Sequence, residues 1–328
     1  MTQNNKDIDV VITWVDGQDL AHRAKRAEYT TDKKETQRED IGGATRFDSV
    51  GEIYFSVSSL LRFAPFVRKI FIVTDNQNPQ LESLVAEYFP SSRTQIEIVD
   101  HRVIFEGYEE YLPVFNSLSI ETMLWRIPGL SERYVYLNDD NFLLSEHSLE
   151  QWFEGDKLVS FGEKFSSCTA RFLRWIKPKK NGHKTFGYKD AMVNAADLVG
   201  AKSFRLFPHA PTSQLKSLLA EFFEEHPEAM IHNIAHRFRD PSQYNPQTLC
   251  QLLAEEKGLC KYKSVKKHIL FVNHCEREGY IARKLREAEN SNDLMMGCAN
   301  SLDRASQKEL RLFKEWLSEV VGVEALKD

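Results

Sequence analysis

No stretch of the chain approaches the roughly 18–20 uninterrupted apolar residues that cross a bilayer, so a membrane-spanning helix is not expected. The start, MTQNNKDIDVVITWV, is polar and then only briefly apolar, without the hydrophobic core and cleavage site of a secretory leader. Glycine-built nucleotide motifs are missing too: neither GxxxxGK[ST] nor GxGxxG occurs, which removes a P-loop and a dinucleotide fingerprint. GxSxG is absent, and with it the nucleophile elbow of a serine hydrolase. The five cysteines, Cys168, Cys250, Cys260, Cys275 and Cys298, are odd in number and form no CxxC pair. Neither a disulfide framework nor a zinc site is favoured, and a reducing cytoplasm is the expected setting. A net charge of −5 argues against a surface that tracks nucleic acid and leaves any anion site to a local pocket.

What is present is ordinary for a globular enzyme: 328 residues, 42% hydrophobic and 28% charged, enough to bury a large core. Four short runs rich in β-branched and aromatic residues read as buried strands: IDVVITWV (8–15), KIFIVTD (69–75), QIEIVD (95–100) and RYVYLND (133–139). Helical segments lie between them, including 49–65, closed by Pro65, and 117–129, closed by Pro128 and Gly129. This alternation predicts an α/β fold with a mostly parallel sheet flanked by helices. After about residue 150 the texture turns helix-rich, and no repeat or linker separates it. The expected organisation is one domain over 1–328, with a sheet-forming part (1–150) and a helix-rich part (151–328) that completes the site. Within the second part, 172–188 reads as loop or hairpin, and 213–228 as an amphipathic helix. The basic run from Lys177 to Lys180 could touch anionic lipid, although a solvated loop is the simpler reading.

All four strands finish in polar residues: Asp16-Gly17, Asp75-Asn76-Gln77, Asp100-His101 and the cluster Asn138 to Asn141. In open α/β sheets ligands bind beyond the carboxyl ends of the strands, so these endings are expected to converge on one crevice. Adjacent Asp139 and Asp140 suit Mg²⁺ or Mn²⁺, which take oxygen ligands and share their shell with phosphates. The plainer alternative has Asp139 capping a following helix and Asp140 solvated. Downstream, His209 stands between Pro208 and Pro211, and Arg237 and Arg239 follow in HRFRDPSQYN (236–245). Arginine offers a planar fork for phosphate oxygens, and histidine exchanges a proton near neutral pH. His232 and His236 are spaced i, i+4, but no HExxH pattern accompanies them, so zinc is not expected there.

The ordered blocks DVVITWVDGQD (9–19), RFDSVGEIYFSVSSLLRFAPFVRKIFIVTDNQNP (46–79), LPVFNSLSIE (112–121), YVYLNDDNF (134–142), PHAP (208–211) and HRFRDPSQYN resemble the Stealth family of hexose-1-phosphate transferases. That family includes bacterial capsule and cell-surface polysaccharide phosphotransferases and the lysosomal-enzyme N-acetylglucosamine-1-phosphotransferase. The resemblance implies a Rossmann-like core like that of nucleotide-sugar transferases, a UDP-sugar donor and a saccharide acceptor. It also implies Mg²⁺ or Mn²⁺, a place in capsule or cell-surface polysaccharide synthesis, and at most peripheral contact with the inner membrane face or a polysaccharide-assembly complex. By matching blocks it assigns Asp16, Gly17, Asp75, Gln77, Asn116, Ser117 and Asn138 to substrate binding, with Asn194 and Arg239 counted beside them. His209, Arg237 and Asp140 become catalytic, and Asp139, Asp140 and Asn273 become metal ligands. The last follows from taking Phe271-Val272-Asn273-His274 as the nearest match to a family block usually like CLNDN. Tyr54 and Ser58 stand where the family commonly has arginines.

The reaction so implied passes sugar-1-phosphate to a hydroxyl, forms a phosphodiester and releases UMP. His209 would act as base, acid or nucleophile. A glycosyltransferase that attacks the anomeric carbon and releases UDP is the rival enzyme, and a non-catalytic saccharide-binding protein the rival of another class.

Overall fold

The computed structural model describes residues 7–30, 50–179, 185–264, 268–273 and 278–326. Residues 46–49 of the second block, the stretch 180–184 of the basic segment, His274 and Cys275 lie outside the described residues.

Each of the four apolar runs forms a strand that stops just before or within its polar ending: β1 (Ile8–Thr13), β2 (Lys69–Thr74), β3 (Gln95–Asp100) and β4 (Arg133–Asn138). They pair in parallel in the order β4-β1-β2-β3. Val10 to Ile12 and Ile70 to Val73 lose all contact with water, as expected of strands covered on both faces. β3 is the exception because it lies at the edge. Its Gln95 and Glu97 are exposed, and Glu97 meets Lys69 Nζ at 2.6 Å, a charged edge that discourages further strand pairing. At the amino ends of the strands, buried Asp9 accepts from Arg68 Nε at 2.9 Å and from the Ser131 backbone N–H at 2.7 Å. This clamp ties β1, β2 and β4 together at the end away from the site.

The other strands, in chain order, are β5 (Asn141–Leu143), β6 (Phe153–Glu154), β7 (Lys157–Phe161), β8 (Glu163–Ser166), β9 (Ser203–Leu206), β10 (Thr212–Leu215), β11 (Cys260–Lys263), β12 (Ile269–Asn273) and β13 (Met296–Asn300). Helices are α1 (Leu20–Glu28), α2 (Glu52–Phe63), α3 (Glu82–Tyr88), α4 (His101–Ile104), α5 (Ser117–Met123), α6 (Ser167–Ile176), α7 (Tyr188–Leu198), α8 (Lys216–Glu225), α9 (Pro227–Ile234), α10 (Pro246–Glu256), α11 (Tyr280–Glu289) and α12 (Gln307–Val321). Many start where the sequence provides a cap: Asp19, Asn116, Ser166, Asn245 and Ser306 each accept from a backbone N–H of the first turn.

Two expectations are corrected. Residues 213–215 belong to strand β10, which runs antiparallel to β4 and extends the central sheet to five strands, and only then does α8 begin. Burial decides this, since Thr212 to Leu215 are all enclosed and need a ladder for their backbone groups. Residues 172–176 are helical, the second half of α6, and not loop or hairpin.

A small sheet, β12-β13-β5, completes the frame of the site. β5 follows β4 after the two-residue turn Asp139-Asp140 and pairs antiparallel with β13, while β12 pairs parallel with β13. The turn is thus the junction between two sheets. Gly297 permits it: a Cβ there would come within 2.5 Å of the Phe142 ring.

Candidate active site

A cleft of about 470 Å³ opens at the carboxyl ends of the parallel strands, and all four ends line it. β1 contributes Thr13 with the following Trp14 and Val15, β2 contributes Val73, the residue after β3 is His101, and β4 leads to Asn138, Asp139 and Asp140. Asn116 and Ser117 at the start of α5, then Tyr188, His209 and Arg239, form other walls.

No helix follows Asp139, so the capping alternative does not apply. Both carboxylates in the turn are half-buried, and among the described residues neither forms an ion pair, although His209, Arg239 and Arg304 line the same cleft. Loss of water pushes the Asp139 carboxyl well above the usual carboxylate range, and Glu52 and Asp140 push it further. Asp140 is raised by the same loss of water, opposed by His209. It accepts hydrogen bonds from Asn141 Nδ2 and, at 3.5 Å, from Cys298 Sγ.

Facing these acids is a basic wall. The His209 ring lies 4.6 Å from that of Tyr188, tilted by 31°, and stacks at 6.1 Å and 19° on that of Phe271, contacts that help fix its plane. Burial lowers its pKa below the ordinary histidine value, Asp140 raises it and Arg239 lowers it. Arg239 donates from Nη2 to Ser117 Oγ at 3.0 Å, and its charge opposes buried Glu121. Burial raises Glu121 despite that cation. The Tyr136 hydroxyl lies 2.9 Å from Glu121 Oε1, 2.8 Å from Asn138 Oδ1 and 2.9 Å from Thr13 Oγ1, which joins the strand tips to the basic wall.

Of the residues expected at the site, the cleft gathers Asn116, Ser117, Asn138, Asp139, Asp140, His209 and Arg239. The others lie outside its lining. Gln77 bridges strand ends, accepting from Asp16 N at 2.8 Å and donating to Asp16 O at 3.0 Å, with Gly17 in the turn just beyond. Asp75 is neutralised by Lys25, whose Nζ sits 2.8 Å from both oxygens. Arg237 donates to the backbone carbonyls of Glu110 and Leu112 at 3.1 and 3.2 Å and covers the Tyr29 ring at 4.9 Å. Asn194 is held by Arg174 and by the carbonyls of Pro241 and Gln243. Asn273 is exposed at the end of β12, where its backbone N–H meets Tyr280 Oη. Asn116, though in the cleft wall, directs its amide to a seam: Nδ2 is 2.7 Å from Gln243 Oε1 and within 3.2 Å of the His236 and Phe238 carbonyls.

Sequence reasoning missed the partner of Asn273 in the ladder. Asn300 lines the cleft together with Ser301 and Asp303, and the Ala299 N–H donates to the Asp140 carbonyl at 2.9 Å. Cys298-Ala299-Asn300 carries the Cys-x-Asn spacing of the CLNDN-like block better than 271–274 does, and that spacing was the available signal. Ser301 has φ +59°, a left-handed conformation uncommon for a non-glycine residue and shared here with Asn76 and Gln80. Glu52 and Tyr188 also line the cleft without having been expected there, whereas His101 belongs to one of the four strand endings expected to meet at it. Tyr54 and Ser58 point no side chain into the cleft lining.

Among the described residues no three His, Cys, Asp or Glu side chains stand together as a ready metal cage. The donors at the turn still fit a hard cation: two water-poor carboxylates, with Asn300 and Asp303 also on the lining of the same cleft. That set suits an ion such as Mg²⁺ that keeps water or substrate oxygens in its shell.

Residues 6–34 match the family model described as Stealth protein CR1, conserved region 1, and residues 46–161 match Stealth protein CR2, conserved region 2. The capsular polysaccharide phosphotransferase cps1A of Actinobacillus pleuropneumoniae is 38% identical over 160 residues, covering 48% of this chain and 42% of that protein. The exopolysaccharide phosphotransferase cps2G of Lactiplantibacillus plantarum is 29% identical over 278 residues, covering 74% and 78%. The chain spans about two fifths of the length of the capsular relatives it matches. Among solved structures, the galactosyltransferase LgtC with donor and acceptor sugar analogues superposes with a TM-score of 0.45 at 11% identity, over 96% of this chain and 95% of that one. Apo mouse xyloside xylosyltransferase 1 gives 0.42 at 9% identity, over 90% and 98%. Both are loose likenesses.

Proposed function

The chain belongs to the Stealth family, and from that footing we propose that it transfers hexose-1-phosphate from a UDP-sugar to a saccharide hydroxyl in capsule or exopolysaccharide synthesis. The observation that carries this reading is that Asp139, Asp140, the imidazole of His209 and the water-poor guanidinium of Arg239 line one cleft, with Asp140 and His209 close enough for their charges to act on one another. Phosphoryl transfer needs positioning and charge neutralisation more than covalent help, and these groups supply both.

In this scheme His209 is the proton acceptor, because burial holds its pKa down and leaves the imidazole neutral at pH 7. It takes the proton of the acceptor hydroxyl as that oxygen bonds to the sugar-bearing phosphorus. The bond from this phosphorus to the bridging oxygen breaks, and UMP leaves with the electron pair. Attack at phosphorus spares the anomeric bond, so its configuration is retained. Arg239, steadied by Ser117, balances charge on the transferring group, a role that falls to it and not to Arg237. A Mg²⁺ or Mn²⁺ ion held by Asp139 and Asp140 would neutralise diphosphate charge.

The test is incubation of the protein with a panel of UDP-hexoses and a saccharide primer, followed by identification of the released nucleotide. UMP is the expected product, while UDP would move the chemistry to the anomeric carbon. Chelator should abolish turnover and added Mg²⁺ or Mn²⁺ restore it. Full turnover in chelator would remove the ion from the scheme.

A further inference from the structure

The exposed large apolar side chains of the described residues are scattered singly except in one place. Within five residues of α6, Phe172 is 55% exposed, Leu173 48%, Trp175 73% and Ile176 50%. The opposite side of the helix, including Ser167 and Ala170, is buried, so the helix is amphipathic with its apolar face turned outward. A water-soluble domain gains nothing from such a face, and clustered exposed apolar residues mark an interaction surface. The surroundings are basic although the chain is acidic. Among the described residues from Glu163 to Lys202, seven Lys and Arg stand against three Asp and Glu, in a protein of net charge −5.

We propose that the outward face of α6 docks on an anionic lipid bilayer, with Phe172, Leu173, Trp175 and Ile176 entering the headgroup boundary and exposed Lys179, just past the helix, meeting lipid phosphates. A helix lying in the membrane plane needs this combination of aromatic and aliphatic residues beside Lys and Arg. The mixture favours lipid over a polyanionic saccharide: aromatic rings can stack on sugars, whereas Leu173 and Ile176 have no such use and contribute only apolar area. Docking would also orient the catalytic half of the molecule. α6 is fastened to α7 by Arg171 to Asp197 at 2.6 Å and by Arg174 Nη1 to Asn194 Oδ1 at 2.6 Å, and Lys177 just beyond it reaches Asp190 at 3.0 Å. The first residue of α7, Tyr188, lines the cleft and stacks on His209. A bilayer under α6 would therefore lie one helix away from the cleft wall.

The experiment is co-sedimentation of the full chain with vesicles of phosphatidylcholine alone or with about a third phosphatidylglycerol, beside a Phe172→Ser/Trp175→Ser variant whose melting temperature and oligomeric mass are measured in parallel. No turnover is needed, so the result is independent of the proposed reaction. The proposal expects at least tenfold stronger partition onto the anionic vesicles than onto neutral ones, a fall of at least tenfold in the variant at unchanged melting temperature, and a blue shift of tryptophan emission that Trp175→Phe diminishes. It is overturned if wild type stays in the supernatant with both vesicles, or if the variant partitions like wild type. A wild-type dimer that the variant splits, without vesicle binding, would assign the face to a second copy. Retention on a heparin column without vesicle binding would assign it to a polyanionic chain.

Discussion

At the end of β2, Asp75 holds both oxygens 2.8 Å from Lys25 Nζ, and at the end of β4, Asp139 and Asp140 face Glu52 and each other. The two tips carry the same chemical group on one edge of the sheet, with β1 between them, yet among the described residues only the first holds an ion pair. Arg237 and Arg239 differ in another way: one spends its guanidinium on backbone carbonyls and a tyrosine face, while the other lies in the cleft with its pKa lowered by loss of water, against the pull of buried Glu121. A charge that the fold has already answered belongs to the scaffold. A charge left unanswered in poor solvent costs stability and is held ready for a ligand.

The widest separation should come from paired carboxylate variants. Asp140→Asn is expected to lower turnover on the order of a thousandfold, and Asp75→Asn no more than a few-fold in initial-rate assays. The Lys25–Asp75 pair is partly exposed, so its loss should cost below about 1 kcal/mol in denaturant unfolding. The sign reverses at Asp139. Its folded pKa is raised, so the ionised form destabilises the metal-free protein as pH climbs above the unfolded carboxylate value, and Asp139→Asn should raise the melting temperature while lowering activity. Equal losses at both tips would erase the distinction.

Between the arginines a smaller gap is expected. Arg239→Gln should reduce kcat/KM by about a hundredfold, in the range of lost transition-state donors, and Arg237→Gln by only a few-fold. A larger loss at Arg237 would return the catalytic role to it. Smallest is the effect of pH. With the His209 pKa lowered, the rate should rise through a midpoint below 6.5 and level off by neutrality, and His209→Ala should lose roughly a hundredfold in rate together with that acid limb. A rate that falls as pH passes through 7 would make the imidazole an acid.

The parallel strands were legible because full burial writes itself as unbroken Val, Ile and Tyr, and the seams with helices as proline and capping residues. β10 was not, because Thr212-Ser213-Gln214-Leu215 has no apolar alternation and its strand state is imposed by β4. Of the cleft-lining residues, Asp139, Asp140 and His209 were legible in the sequence because acidic pairs and Pro-flanked histidines are conspicuous. Asp16, Asp75 and Gln77 were conspicuous for another reason: strand tips need polar ties, and the cleft takes the residues just before them, Thr13 to Val15 and Val73. Asn300 was obscured because its pairing with Asn273 joins strands from separate parts of the chain.

The amide of Asn116 has one more consequence. It fastens α5 to a loop 120 residues onward, beside a backbone bond from the Phe115 N–H to the Arg237 carbonyl at 2.8 Å, and Ser119 and Gln243 join the same knot. The intervening span can therefore lengthen at slowly growing entropic cost, and the guanidinium keeps its place however long the detour becomes.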